Sequence, residues 1–276
     1  MKGGADDTAM LPLSASREEA RLKPWRPLGD AWVRLASLLA FLALWQFAAW
    51  LLESPSLPAP AVVFGRVIDE TLSLVLPWHL AITLWRVTVS FLLAMAIGTV
   101  IGIAMGRWRT LDLLLDGWLV LGLNIPALVT IILCYVWFGL NDAAAIVAVA
   151  LNKIPTVVVT VREGARAIDR GLMQVAHAYR LPRWRTLSRV YLPQLYPYLM
   201  AAARTGLSLI WKIVLVFEVL GSDGGVGYRV SIMFQFFDIT GILAYTTAFI
   251  LVVLAIEYGL MRPLERRLLD WRWDRG

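Results

Sequence analysis

Long apolar runs, each near the roughly 20 residues that cross the hydrocarbon core of a bilayer, alternate along this chain with short polar segments. They fall at about 31–52, 79–105, 113–138, 143–161, 197–220 and 241–261. This pattern predicts an all-α polytopic membrane protein with about six transmembrane helices and no soluble domain. Residues 1–30 read as a polar N-terminal tail of mixed charge, without the basic start, apolar core and cleavage site of a signal peptide. Between the first two runs, Pro55, Pro58 and Pro60 precede a surface helix expected over Val62–Leu76. Gly98, Gly102 and Gly106 recur every four residues in the second run, which allows a close helix contact. Pro126 should kink the third near its middle. Gly139-Leu140-Asn141-Asp142 reads as a tight turn into the fourth, a Gly-rich loop over 221–240 precedes the sixth, and 262–276 is a basic tail.

The longest polar segment between apolar runs is 162–193. Asp169 is placed to cap a short helix, after which Leu172, Val175, Ala176 and Tyr179 fall at i, i+3, i+4 and i+7, an apolar face. Pro182 suits the first turn of a second helix, where its missing N–H has no partner to lose. Trp184, Leu187 and Tyr191 make a second apolar stripe flanked by Arg183, Arg185 and Arg189, and Pro193 is expected to close the segment. A helix–turn–helix with an apolar ridge, held at a membrane surface by flanking spans, is built to dock onto a partner.

Charge and composition narrow the reading. The chain is 59% hydrophobic and 17% charged, with thirteen Trp that mostly sit near the ends of apolar runs, as in interfacial belts. Its net charge of +6 does not point to nucleic acid, because the basic residues follow topology. With the N-terminus inside, the tail, Arg107, Arg109, the 162–193 loop and the C-terminal tail all lie on the cytoplasmic side, and the outer loops hold only Arg66 and Arg229. The single cysteine, Cys134, excludes an internal disulfide and reads as a small buried hydrophobe. His79 reads as an interface residue and His177 as part of a solvated helix face; two distant histidines give no metal site. There is no Gly-Lys dipeptide, hence no phosphate-binding loop of the Walker A type.

Charges inside spans are costly, so Lys153, Lys212 and Glu218 are candidate pathway residues for an anionic solute, together with Trp211 beside Lys212 and Asn124 beside Pro126. For each lysine a structural alternative stands. Lys153 can pair with a backbone carbonyl, and Lys212 can snorkel outward or meet Glu218. Asn124 can also bond backbone groups freed at the kink. Arg86 and Arg204, near span ends, are expected to snorkel. The aromatic stretch Met233–Phe237 can contact a partner, line an outer gate or rest on the membrane surface.

The 162–193 segment resembles the cytoplasmic "EAA" loop of permease subunits of bacterial ABC importers. Gln174-Val175-Ala176 stands at its Glu-Ala-Ala, Arg180 at its Gly, and Val190-Tyr191-Leu192-Pro193 at its Ile-x-Leu-Pro, with the spacing intact. The resemblance extends over about 57–273 and is closest to the nitrate/sulfonate/taurine group. It includes Leu57-Pro58-Ala59-Pro60, His79 with Leu84-x-Arg86, Trp137-Phe138-Gly139, Glu218 and Gly225-Val226-Gly227-Tyr228. It implies a type I importer permease fold in a bacterial cytoplasmic (inner) membrane, with both termini inside. It also implies a second permease copy as partner, two cytoplasmic ATPase subunits that bind ATP and Mg, and an extracytoplasmic substrate-binding protein. No cofactor belongs to the chain itself. The ATPase-coupling residues it implies are Asp169, Leu172, Gln174, Val175, Ala176, Tyr179, Arg180, Pro182, Leu192 and Pro193. An ion-coupled secondary transporter or channel would also span the membrane about six times, but has no use for a docking loop of this spacing. An intramembrane enzyme would need catalytic pairs that these spans lack.

Overall fold

A computed structural model describes residues 27–269, with side chains over 32–268. The expected tails therefore lie largely outside the described residues. All regular structure among those residues is helical. The chain divides into two units at Ala48. To the first belongs most of α1 (Pro27–Leu52), an apolar helix of 26 residues. The second unit takes in the end of α1 and the proline-bearing loop, and its first whole helix is α2 (Pro60–Leu72), a surface helix that opens on Pro60 in its first turn and buries Val63 and Glu70. It ends before the Leu76 expected from the sequence.

After Leu74, in left-handed conformation at φ 62°, α3 (Val75–Arg107) runs for 33 residues. It lies parallel to α6 (Asp142–Arg166), and Gly98, Gly102 and Gly106 set the spacing. A Cβ at Gly98 would sit 2.7 Å from Val157 Cβ, and at Gly102 and Gly106 2.9 Å from the carbonyl oxygens of Val158 and Arg162. Apolar side chains gain little by leaving lipid for one another, so close backbone approach of this kind carries much of the packing.

The third expected span is not one kinked helix. It is α4 (Arg109–Asn124) and α5 (Ala127–Phe138), bent by 97° at the break. Ile125 is extended, at φ −71° and ψ 121°. The residue before a proline is pushed out of the α region, so the helix stops at Asn124 instead of bending through Pro126. Asn141 then caps α6 by accepting from the Ala144 N–H.

The docking segment holds α7 (Arg170–Ala178) and α8 (Arg183–Thr186), followed directly by a π-helical turn, Leu187–Tyr191, and by α9 (Leu192–Gly221). Pro193 therefore does not close the segment. The wide turn shifts the hydrogen-bond register just before it, with the Leu192 N–H donating to Leu187, and so absorbs a residue that has no N–H to give. A tight loop leads to α10 (Val226–Gln235), and α11 (Ile239–Ile256) passes through a second π turn, Glu257–Met261, into α12 (Arg262–Leu269). Among the described residues five helical runs are long and apolar enough to cross a membrane, or six counting the bent α4–α5 pair.

The main core gathers Leu76 and Val87 of α3, Val149 of α6, Ile210, Trp211 and Val214 of α9, and Tyr245 and Phe249 of α11. A second cluster joins α5, α6 and α9 and contains Cys134, which is buried as expected. Ion pairs brace the far ends. Arg162 reaches Asp112 and Asp116 of α4 at 3.2 and 2.7 Å, and Arg166 also bonds Asp112. Arg204 does not simply snorkel: it pairs with Glu257 at 2.8 Å and Glu265 at 3.1 Å, tying α9 to the last helical run.

Candidate functional site

The 162–193 loop is built from backbone geometry outward. The Asp169 carboxylate accepts from the Gly171 and Leu172 N–H groups at 2.6 and 3.4 Å, capping α7. Gln194, which no motif or periodicity singles out, holds this corner to α9. Its amide oxygen accepts from the Asp169 N–H and its amide nitrogen donates to the Val190 carbonyl, both at 2.8 Å. At the other end the Leu181 N–H donates to Ala176 and the Arg180 N–H to His177, the paired bonds of a Schellman C-cap. That motif needs a left-handed residue, and Arg180 supplies it at φ 50°. The position where the "EAA" pattern carries Gly is thus the position of positive φ. Pro182 is extended and lies just outside α8, one residue earlier than the first-turn role expected of it.

The apolar face of α7 is divided. Leu172, Val175 and Tyr179 are 49%, 52% and 79% exposed, whereas Ala176 is turned inward at 2%. Ala176 is thus the packing foot of the helix and does not belong to its outer ridge. Gln174 is exposed as well. Beside the ridge lies an apolar hollow of about 320 Å³, lined by Leu172, Val175, Tyr179, Val190 and Pro193 among others. Leu192 is partly buried where the π turn meets α9.

The in-span candidates separate. Lys153 is 2% exposed, its Nζ has no hydrogen-bond partner, and its Cε lies against Gly206 of α9. It is enclosed within the helix packing, and the expected backbone-carbonyl partner is absent. Lys212 is exposed on α9, on the same stripe as exposed Thr205 and Ser208. Trp211, next to it, turns the other way and packs edge-on against Phe249 with ring centres 5.6 Å apart. Asn124 donates to the Val120 carbonyl of its own helix at 2.7 Å and so does not serve the groups freed at Pro126.

Glu218 is paired, but not with Lys212. Its carboxylate accepts from Arg86 Nη1, Thr83 Oγ1 and the Gly227 N–H, each at 2.9 Å. Arg86, expected to snorkel, is 2% exposed and also donates to Asp142 and to the Gly224 carbonyl at 2.7 Å. The Gly225 N–H donates to His79 at 3.1 Å. Gly225 has φ 104°, and a Cβ there would collide with the Glu218 carboxylate. One buried clamp thus joins α3, the start of α6, α9 and the loop before α10. Among the described residues no His, Cys, Asp and Glu group is arranged to hold a metal ion.

Residues 94–269 match the family model described as "Binding-protein-dependent transport system inner membrane component". The chain is 31% identical to a putative aliphatic sulfonates transport permease protein of Bacillus subtilis (strain 168), over 97% of each chain. It is 28% identical to the taurine transport system permease protein of Escherichia coli (strain K12), over 92% of this chain and 95% of that one. It is also 28% identical to a bicarbonate transport system permease protein of Synechococcus elongatus, over 91% and 92%. In fold it resembles a chain of the MetNI methionine ABC transporter in an inward-facing conformation, with a TM-score of 0.58 at 19% identity, covering 72% of this chain and 98% of that one. The chain belongs to the family of binding-protein-dependent transport system inner membrane components, and is a multi-pass permease subunit of an ABC transporter.

Proposed function

We propose that this permease pairs with a second copy to form the pathway for a small anionic solute of the sulfonate type, delivered by an extracytoplasmic binding protein and driven by two cytoplasmic ATPase subunits docked on α7. ATP and Mg belong to those subunits, and both termini of the permease are cytoplasmic. The single observation that carries the reading is the exposed ridge Leu172, Val175 and Tyr179 on a nine-residue helix fixed at both ends. An apolar ridge seated in a partner's groove transmits rigid-body motion. The anionic class is supported by the printed substrates of the relatives: aliphatic sulfonates and bicarbonate are anions, and taurine carries a sulfonate beside its ammonium group. The stripe Thr205, Ser208 and Lys212, open on α9, is suited to face such a solute across the pair. Enclosed Lys153 can meet it only when α6 and α9 separate.

The test is reconstitution with the ATPase and binding protein in proteoliposomes. Leu172→Glu and Val175→Glu put a charge on the exposed ridge without touching the inward Ala176. Each should weaken ATPase binding by about tenfold or more, the scale of one lost apolar anchor, and stop sulfonate uptake. Lys212→Met should leave ATPase binding intact and lower uptake. Intact coupling in both ridge variants would overturn the docking role, and wild-type uptake in both Lys212→Met and Lys153→Met would overturn the anion reading.

A further inference from the structure

On the side of α7 away from the exposed ridge lies a cleft of about 470 Å³, between the docking helix, the end of α3 and the π turn. Its walls include Arg107, His177, Arg183 and Tyr191, with Met173 and Leu187 between them, and no carboxylate. Neither guanidinium forms an ion pair with a described carboxylate, whereas Arg166 at the end of α6 and Arg262 at the start of α12 do. Arg107 is the last residue of α3 and Arg183 the first of the helical run that becomes α9. The cleft therefore lies at the ends of two helical runs that are long and apolar enough to cross a membrane. Exposed Trp108 and Trp184 stand at the same two ends, as aromatic residues do at the headgroup level. One wall is a π-helical turn, a distortion that recurs at functional sites.

We propose that this cleft binds the phosphate of an anionic phospholipid headgroup from the cytoplasmic leaflet. Basic pockets between transmembrane helices on the cytoplasmic side are the recognised form of such sites. Arg107 and Arg183 grip the phosphate from two helices, His177 and the Tyr191 hydroxyl complete the polar wall, and Met173 and Leu187 meet the less polar portion of the lipid. The bound headgroup is a wedge between α7 and the spans, so it braces the docking helix from behind while the ATPase presses from the front. The orientation rests on the proposed cytoplasmic placement of α7, while the lipid site is separate from the ATPase contact.

The experiment uses the permease–ATPase complex in nanodiscs of phosphatidylcholine with or without phosphatidylglycerol, released into native mass spectrometry. Wild type should retain phosphatidylglycerol. The Arg107→Gln/Arg183→Gln pair should lose it, by about fivefold per arginine, the weight of one basic side chain near an anionic surface. Arg109→Gln/Arg185→Gln removes the same charge from neighbouring positions that do not line the cleft, and should retain the lipid. Equal loss in both pairs, or no loss in either, overturns the site. A third arm adds inorganic phosphate to phosphatidylcholine discs; thermal stabilisation by phosphate that matches phosphatidylglycerol and depends on Arg107 and Arg183 overturns the lipid as the source. ATPase subunits remaining on a wild-type complex that holds no lipid refutes this inference alone, whereas their absence refutes the docking reading.

Discussion

Arg180 shows how one residue can carry a turn it is poorly shaped for. A left-handed backbone costs a residue with a Cβ roughly 1–2 kcal/mol, and here that cost is set against two capping hydrogen bonds to Ala176 and His177. Arg180→Gly should therefore raise stability by up to about 1 kcal/mol after the extra unfolded-state entropy of glycine is counted. Thermal unfolding of the purified permease checks it, and a drop in stability would mean that the guanidinium contributes more than the strain. Glu218 and Arg86 make the opposite case, two charges that are tolerable only together. Glu218→Gln should destabilise by about 3–5 kcal/mol, as removal of one member of a buried pair generally does. Arg86 keeps Asp142 and the Gly224 carbonyl, which places the loss toward the lower end. In a double-mutant cycle with Arg86→Met, the combined loss should fall well short of the sum of the single losses; additive losses would show that the two side chains act separately.

At the scale of elements, the parallel α3–α6 pair rests on its three glycines. Gly102→Leu drives a branched side chain toward the Val158 carbonyl and Val161, and overpacking of this kind costs about 1–3 kcal/mol or more when backbone must move. The same change at Gly65 or Gly117, where a Cβ would meet nothing within 4 Å, should be nearly silent, and folded yield in detergent separates the two outcomes. This packing is legible in the sequence, because a four-residue glycine period has one common use in a membrane helix. Asp169 as a cap and Cys134 as a buried hydrophobe are legible for the same reason: each follows from local pattern. What is not legible depends on partners far along the chain. Arg86 looks like a snorkelling end residue because Glu218 lies 132 positions away. Ala176 looks like a ridge residue because periodicity marks an apolar face without saying which edge of it another element covers. Pro126 reads as a kink because a proline inside an apolar run can either bend a helix or end it at the residue before, and the 97° break that ends α4 at Asn124 is set by the packing of α5 on α6 and α9.

For the whole molecule, the run of spans and the docking segment are readable from hydropathy and motif spacing, while the sideways fold of α4 on α5 is not. The longest continuous element is also one whose beginning the apolar pattern does not mark. From Arg183 through the π turn to Gly221 the backbone stays helical for 39 residues. At 1.5 Å per residue that is a rod of ~58 Å, nearly twice the ~30 Å of hydrocarbon it crosses. One end begins five positions past the last residue of α7 and the other is gripped by the Glu218 clamp. Such a rod is a lever. A tilt of ~5° about its foot carries its far end through ~5 Å, about one helical turn. Under the proposed coupling, a push too small to disturb the packing around α7 would be delivered at the opposite face as a displacement large enough to pull neighbouring side chains out of contact, and the gain would come from length alone.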